Sequence, residues 1–264
     1  GDEAMVQLLD GLKDVSLTSL DISKTKSGVS TATKLAELLA EDSKFKAALT
    51  DVNMAGNPLT GKMYVGKPVD GKDISGVSVL FPVMTRVVKL NVSECGLGPT
   101  SMPELAKLVS DATAVLTTLR CGSNPGMVGE PYNFPNGYLK TPDVHIEALQ
   151  ELLNALKPSG VTELDISAIG IGPKGADHVA DYVRDARAVL ASVNLSGNPL
   201  TGASQNFSKL GNPWENIDSD MAGFIALCAV LGKLTEVNLS DCHLGPASAA
   251  ELAKVFSDAN AALT

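Results

Sequence analysis

One short pattern of apolar and polar positions recurs along the chain. It reads L-x-x-L-x-L-x-x-N/C-x-L, and it opens seven units that begin at residues 17, 49, 87, 116, 161, 190 and 234. In the third unit the apolar positions are Val87, Leu90, Val92, Cys95 and Leu97; in the seventh they are Leu234, Val237, Leu239, Cys242 and Leu244. The L-x-L alternation predicts a short strand with one face buried. Such strands would centre near residues 20–22, 52–54, 90–92, 119–121, 164–166, 193–195 and 237–239. A Gly-Pro break follows at Gly98-Pro99, Gly172-Pro173 and Gly245-Pro246, where proline suits the first turn of a helix. Apolar residues then take helical spacing: Leu105, Leu108, Val109 and Ala112 in one unit, Leu252, Val255, Phe256 and Ala259 in another. Each set predicts a helix with one face turned to the core. Asn57, Asn124 and Asn198 fall where the chain turns inward, and a buried amide there should serve turn backbone that has no ladder partner.

Residues 87–115, 161–189 and 234–262 align without a gap, and they alternate with longer units, so the higher-order period is about 70–74 residues. The extra residues of the long units fall between strand and helix, at about 60–73, 126–142 and 200–218. No unit can bury its apolar face alone, so stacking must supply the core. The pattern resembles the leucine-rich repeat, in its ribonuclease-inhibitor-like subfamily of 28–29-residue strand-helix units. The resemblance implies an α/β fold: a horseshoe-shaped solenoid with an inner parallel sheet and outer helices, its short and long repeats alternating. It would form one domain over residues 1–264, with about seven full repeats and a partial repeat at each end. Residues 1–16, with Val6, Leu8, Leu9 and Leu12, look like the helix of an earlier unit, and Leu263-Thr264 like the start of another, as expected for part of a longer array. Three places depart from the pattern: Ile169 replaces Asn/Cys, Gly126 replaces the following Leu, and the first unit loses register after Thr25.

Composition narrows the partners. Aromatics make up 4% of the chain, so Leu, Val, Ile and Ala must build the core, and the formal charge of −9 disfavours nucleic acid and anionic membrane. No apolar run reaches membrane-spanning length, and Gly1-Asp2-Glu3 is acidic where a signal peptide would be basic. Cys95, Cys121, Cys228 and Cys242 have no paired spacing and read as buried thiols, pointing to an intracellular, cytoplasmic setting. Cys242-His243 reads as structural rather than as a metal-ligand pair, and neither a metal nor another cofactor is expected. His145 and His178 have no Ser or Cys partner in view, and Gly-Asn-Pro-Leu-Thr-Gly lacks the Lys of a phosphate loop. Asp218, Ser219 and Asp220 read as caps for a helix starting at Met221.

No catalytic constellation emerges, so the reading is a protein-recognition or scaffolding module rather than an enzyme. Two outward rows follow from strand parity: Asp21, Asn53, Asn91, Arg120, Asp165, Asn194 and Asn238, then Ser23, Ala55, Ser93, Gly122, Ser167, Ser196 and Ser240. Arg120 stands between Asn91 and Asp165, either as a solvated Arg–Asp pair or as an anchor for a partner carboxylate or phosphate. The inserts hold Tyr64, Tyr132, Phe134, Tyr138, Phe207 and Trp214, six of the chain's eleven aromatics, and should emerge together on one rim. These rings either pack inside their loops or, with Arg120 and Asp165, bind a protein partner. Two other readings stand beside this one. Ran GTPase-activating proteins resemble the chain in using the same repeat subfamily, which implies a regulator of a small GTPase. Uncapped ends imply an array that stacks end to end.

Overall fold

The structure, a computed structural model, describes residues 1–40, 44–61, 63–64, 67–68, 72–111, 115–131, 139–188, 190–211 and 213–261. Helix α1 (Asp2–Asp10) precedes the first unit, which supplies β1 (Ser19–Asp21), α2 (Val29–Ala40) and α3 (Lys44–Ala48). The second supplies β2 (Asp51–Asn53), the hairpin β3 (Met63–Tyr64) and β4 (Lys67–Pro68), and α4 (Ser75–Leu80). The third has β5 (Lys89–Asn91) and, after a turn of 3-10 helix at Pro99–Ser101, α5 (Met102–Asp111). The fourth has β6 (Thr118–Arg120), the hairpin β7 (Glu130–Pro131) and β8 (Leu139–Thr141), and α6 (Ile146–Leu156). The fifth has β9 (Glu163–Asp165) and α7 (Pro173–Asp185). The sixth has β10 (Ser192–Asn194), the hairpin β11 (Ser204–Gln205) and β12 (Trp214–Glu215), and α8 (Ala222–Leu231); the seventh has β13 (Glu236–Asn238) and α9 (Pro246–Ala261).

The seven unit strands form one parallel sheet in the order β1-β2-β5-β6-β9-β10-β13. Each strand begins and ends one residue earlier than the centres read from sequence. The register is unbroken: Leu20, Val52, Leu90, Leu119, Leu164, Val193 and Val237 lie side by side. The first six of these are buried and pack with the helices' apolar faces in a continuous core. The seventh strand differs. Val237, Leu239, Leu244, Leu252 and Val255 take the core-facing positions of the pattern but are only half-buried. They pack against unit six on one side, and among the described residues no eighth unit covers the other.

Two polar devices join the units. The first looks backward. Asn198 is fully buried; its Oδ1 accepts the N–H groups of Ile169, Gly170 and Ile171, and its Nδ2 donates to the carbonyls of Ile166 and Leu195. Asn124 does the same for Cys95 and Leu97, and Asn57 for Thr25 and Ser27. This explains why Ile169 is tolerated: the turn it occupies has its donors satisfied from the next unit. In the third and seventh units a thiol fills the place, with Cys95 Sγ donating to the Met54 carbonyl and Cys242 Sγ to that of Leu195.

The second device looks forward. The Asp143 carboxylate, at the end of an insert, accepts the N–H groups of Gly172, Lys174 and Gly175 at the start of α7 (2.7, 2.8 and 3.1 Å). Asp218 accepts those of Gly245, Ala247 and Ser248, and the Ser248 hydroxyl, at the start of α9. Asp2 serves α2 through Gly28, Ser30 and Thr31. A carboxylate at a helix N-terminus meets orphan donors and the positive end of the dipole. The glycine of Gly-Pro has its reason here, since a Cβ on Gly245 would lie 2.4 Å from Asp218 Oδ2. The sequence reading of Asp218 as a cap for its own helix is therefore corrected. α8 begins at Ala222, its own N-terminus has Asp220 Oδ1 near the Ala222 N–H, and Asp218 reaches into the next unit.

Partial burial works against the charge on Asp218, but the Ser248 hydroxyl and the three N–H donors outweigh it and hold the carboxyl below its ordinary pKa. A lowered folded-state pKa gives stability that is present above the unfolded value, about 4, and is lost as pH falls through the folded value. Thermal melts of the parent and of Asp218→Asn should therefore converge as pH is lowered from 7 to about 3. A gap that stays constant over that range would show that the carboxylate's charge adds nothing.

Candidate functional site

The alternate residues of the strands, opposite the core, form a polar face that no helix covers among the described residues. It has three outward rows, one more than sequence parity picked out. The added row is Ser19, Asp51, Lys89, Thr118, Glu163, Ser192 and Glu236. It was overlooked because it lies just before the L-x-L core of the pattern, and it brings in most of the face's charge.

The middle row follows a local rule. The side-chain Oδ1 of Asp21, Asn53, Asn91, Asp165, Asn194 and Asn238 accepts the backbone N–H two residues on, at 2.9–3.2 Å. Each strand thus closes with an Asx turn, which tidies the N–H where the ladder ends. Asn53 spends its amide on Asp21 Oδ2 (2.9 Å). Arg120, on the fourth strand, is the exception: it has no acceptor to offer its own backbone.

Register places Arg120 between Asn91 and Asp165, as the sequence indicated. The ion pair it forms, however, is with Glu163, at 3.8 Å, beyond hydrogen-bond length. Both side chains are about half exposed (53% and 50%), a geometry worth ~0–1 kcal/mol. Asp165 is occupied by its own turn, its Oδ1 held by the Ser167 N–H. Two shallow grooves run across the face, and Asn91, Arg120 and Glu163 line both. Lys89 lines one of them; its backbone N–H donates to the Thr50 carbonyl, and its ammonium makes no hydrogen bond or ion pair among the described residues.

The inserts form three antiparallel hairpins, and β8 of one lies against β11 of the next. Trp214 and Phe207, in the third, are half-buried. The Trp214 ring stacks on His243 of unit seven, with centroids 3.4 Å apart and planes 19° apart, so one of its faces is committed within the molecule. Burial pushes the His243 pKa down, against the pull of Asp241. Tyr64 is placed on β3. Tyr132, Phe134 and Tyr138 lie outside the described residues.

Residues 233–253 match the Leucine Rich repeat family model. That span covers β13 and the first half of α9. No curated protein matches the chain. A leucine-rich-repeat-like α/β scaffold is consistent with a protein-binding module. Among the described residues no group of three or more His, Cys, Asp or Glu side chains is arranged to hold a metal ion. The four cysteines are buried and unpaired. Burial raises their pKa, to about 12 for Cys95 and about 11 for Cys228 and Cys242, so none is a thiolate nucleophile at neutral pH. Nor is any helix of the described residues long and apolar enough to cross a membrane.

Proposed function

We propose that the chain is a protein-recognition module of the ribonuclease-inhibitor-like kind, curved into a horseshoe, which binds a partner across the uncovered sheet face and along the rim of insert hairpins. The observation that carries this reading is the sheet itself: seven parallel strands give one side to the core and leave the other polar, grooved and, among the described residues, uncovered. In this reading Phe207 and Trp214 border that face from the rim, the Trp214 ring already held on one side by His243. Arg120 and Asp165 lie within it, and Tyr64, Tyr132, Phe134 and Tyr138 extend the same rim in the sequence reading. The test is site-specific photocrosslinking in cells, with the crosslinking residue at Asn91, at Phe207 or at Lys107 on the helical side. Crosslinks to one protein from the first two positions and none from Lys107 are expected. Crosslinks from Lys107 alone would overturn the reading.

A second reading has its own observation. The half-buried apolar flank of unit seven, with Val237, Leu252 and Val255, would suit end-to-end stacking of copies. Light scattering that rises with concentration would favour it. The kinship with Ran GTPase-activating proteins stays at the level of the repeat, and no residue here takes a catalytic role from it.

A further inference from the structure

We propose that the sheet face binds an extended partner segment that seats one carboxylate side chain between Arg120 and Lys89 and carries basic residues on either side. This rests on the recognition reading above and names the chemistry of the partner. The first ground is the broken rule. Six strands of seven place Asp or Asn in the middle row and use it to close their own turn. The fourth, at the centre of the sheet, gives up that turn for a long cation. A local rule broken once, without a local gain, is what a functional position looks like.

The second ground is that the cations are unspent. Among the described residues the guanidinium has one carboxylate within 4 Å, too far for a hydrogen bond. Lys89 sits one strand away on β5, in register with Thr118, and lines a groove together with Arg120. A guanidinium with free donors binds carboxylate through a fork of two bonds.

The third ground is the order of charge across the strands. On the two charged rows β1 and β2 carry Asp21 and Asp51; β5 and β6 carry Lys89 and Arg120; β9 carries Glu163 and Asp165; β13 carries Glu236. The cationic stripe is flanked by acids on both sides. A strongly acidic peptide would therefore be repelled at its ends, and a doubly charged phosphate would crowd Glu163 and Asp165. Strands lie ~4.8 Å apart and an extended chain advances ~3.4 Å per residue. Asp51 is two strands from Arg120 and Glu236 three, so the basic residues fall roughly three and four positions from the acidic one.

The probes are peptides selected on the full chain from a random twelve-residue phage library. Selected peptides should share one Asp or Glu with Lys or Arg about three or four positions away. Binding to Arg120→Asn should be weaker by at least roughly tenfold, the loss typical of an interface arginine. This variant restores the residue type found on the sister strands, so its melting temperature should hold or rise. Arg120→Glu should regain binding when the peptide's acid is changed to Lys. Peptides that share no acid, or that bind Arg120→Asn as well as the parent, overturn the inference. If such peptides are instead lost on changing Phe207 or Trp214, the recognition reading stands without it. If no peptide is selected, both fall.

Discussion

Asn198→Leu should lower the stability of the array by about 3–5 kcal/mol, read as a shift in the urea midpoint followed by circular dichroism. The side chain is fully buried and makes five hydrogen bonds to backbone groups of units five and six. Leucine keeps the branched shape and is bulkier, so no cavity opens; the cost comes from N–H and C=O groups left buried without partners, with some overpacking added. Asn53 provides the contrast. It lies on the solvent face and bonds its own turn and Asp21, so Asn53→Ala should cost less than about 1 kcal/mol. Similar losses for the two variants would mean that the buried amide is not a joint between units.

The second large effect is at Leu164. It is 1% exposed, on the fifth of seven strands, between Leu119 and Val193. Truncation to Ala should cost ~2–5 kcal/mol, transfer and cavity terms together. Val237 holds the matching position on the seventh strand but is half-buried, and Val237→Ala should cost about 1 kcal/mol or less. In a stack each unit is stabilised by its neighbours, so identical positions differ with their place in the row. Equal midpoint shifts for the two variants would contradict that account.

The repeat was legible because it is written in side-chain volume and period. Leu90, Leu119 and Leu164 mark strands by alternation alone, and Pro173 and Pro246 mark helix starts. The charged row containing Lys89, Glu163 and Glu236 was missed because its residue types vary from strand to strand, so no pattern announces it. The role of Asp218 was misread for a physical reason. A carboxylate just before a helix is ordinarily its cap, and only the stacking of units shows that the nearer set of orphan donors belongs to another helix, 27 residues on. A signal did exist: Asp143 and Asp218 both precede a Gly-Pro by just under thirty residues. For Trp214, sequence posed the choice between exposed and tucked in; the stack on His243 puts it between the two.

The buried amides and insert carboxylates decide how such a chain can grow. The fourth and sixth units each grip the short unit before them through an Asn and the short unit after them through an Asp. Excising one short unit would bring two long units together, leaving an insert carboxylate without its Gly-Pro helix start and a buried amide without its turn. Removing the fifth and sixth units together, about 73 residues, sets Asp143 before the Gly-Pro start of α9, a partner of the right kind. The heritable module is thus the couple rather than the single repeat, which accounts for a sequence period twice as long as the structural one.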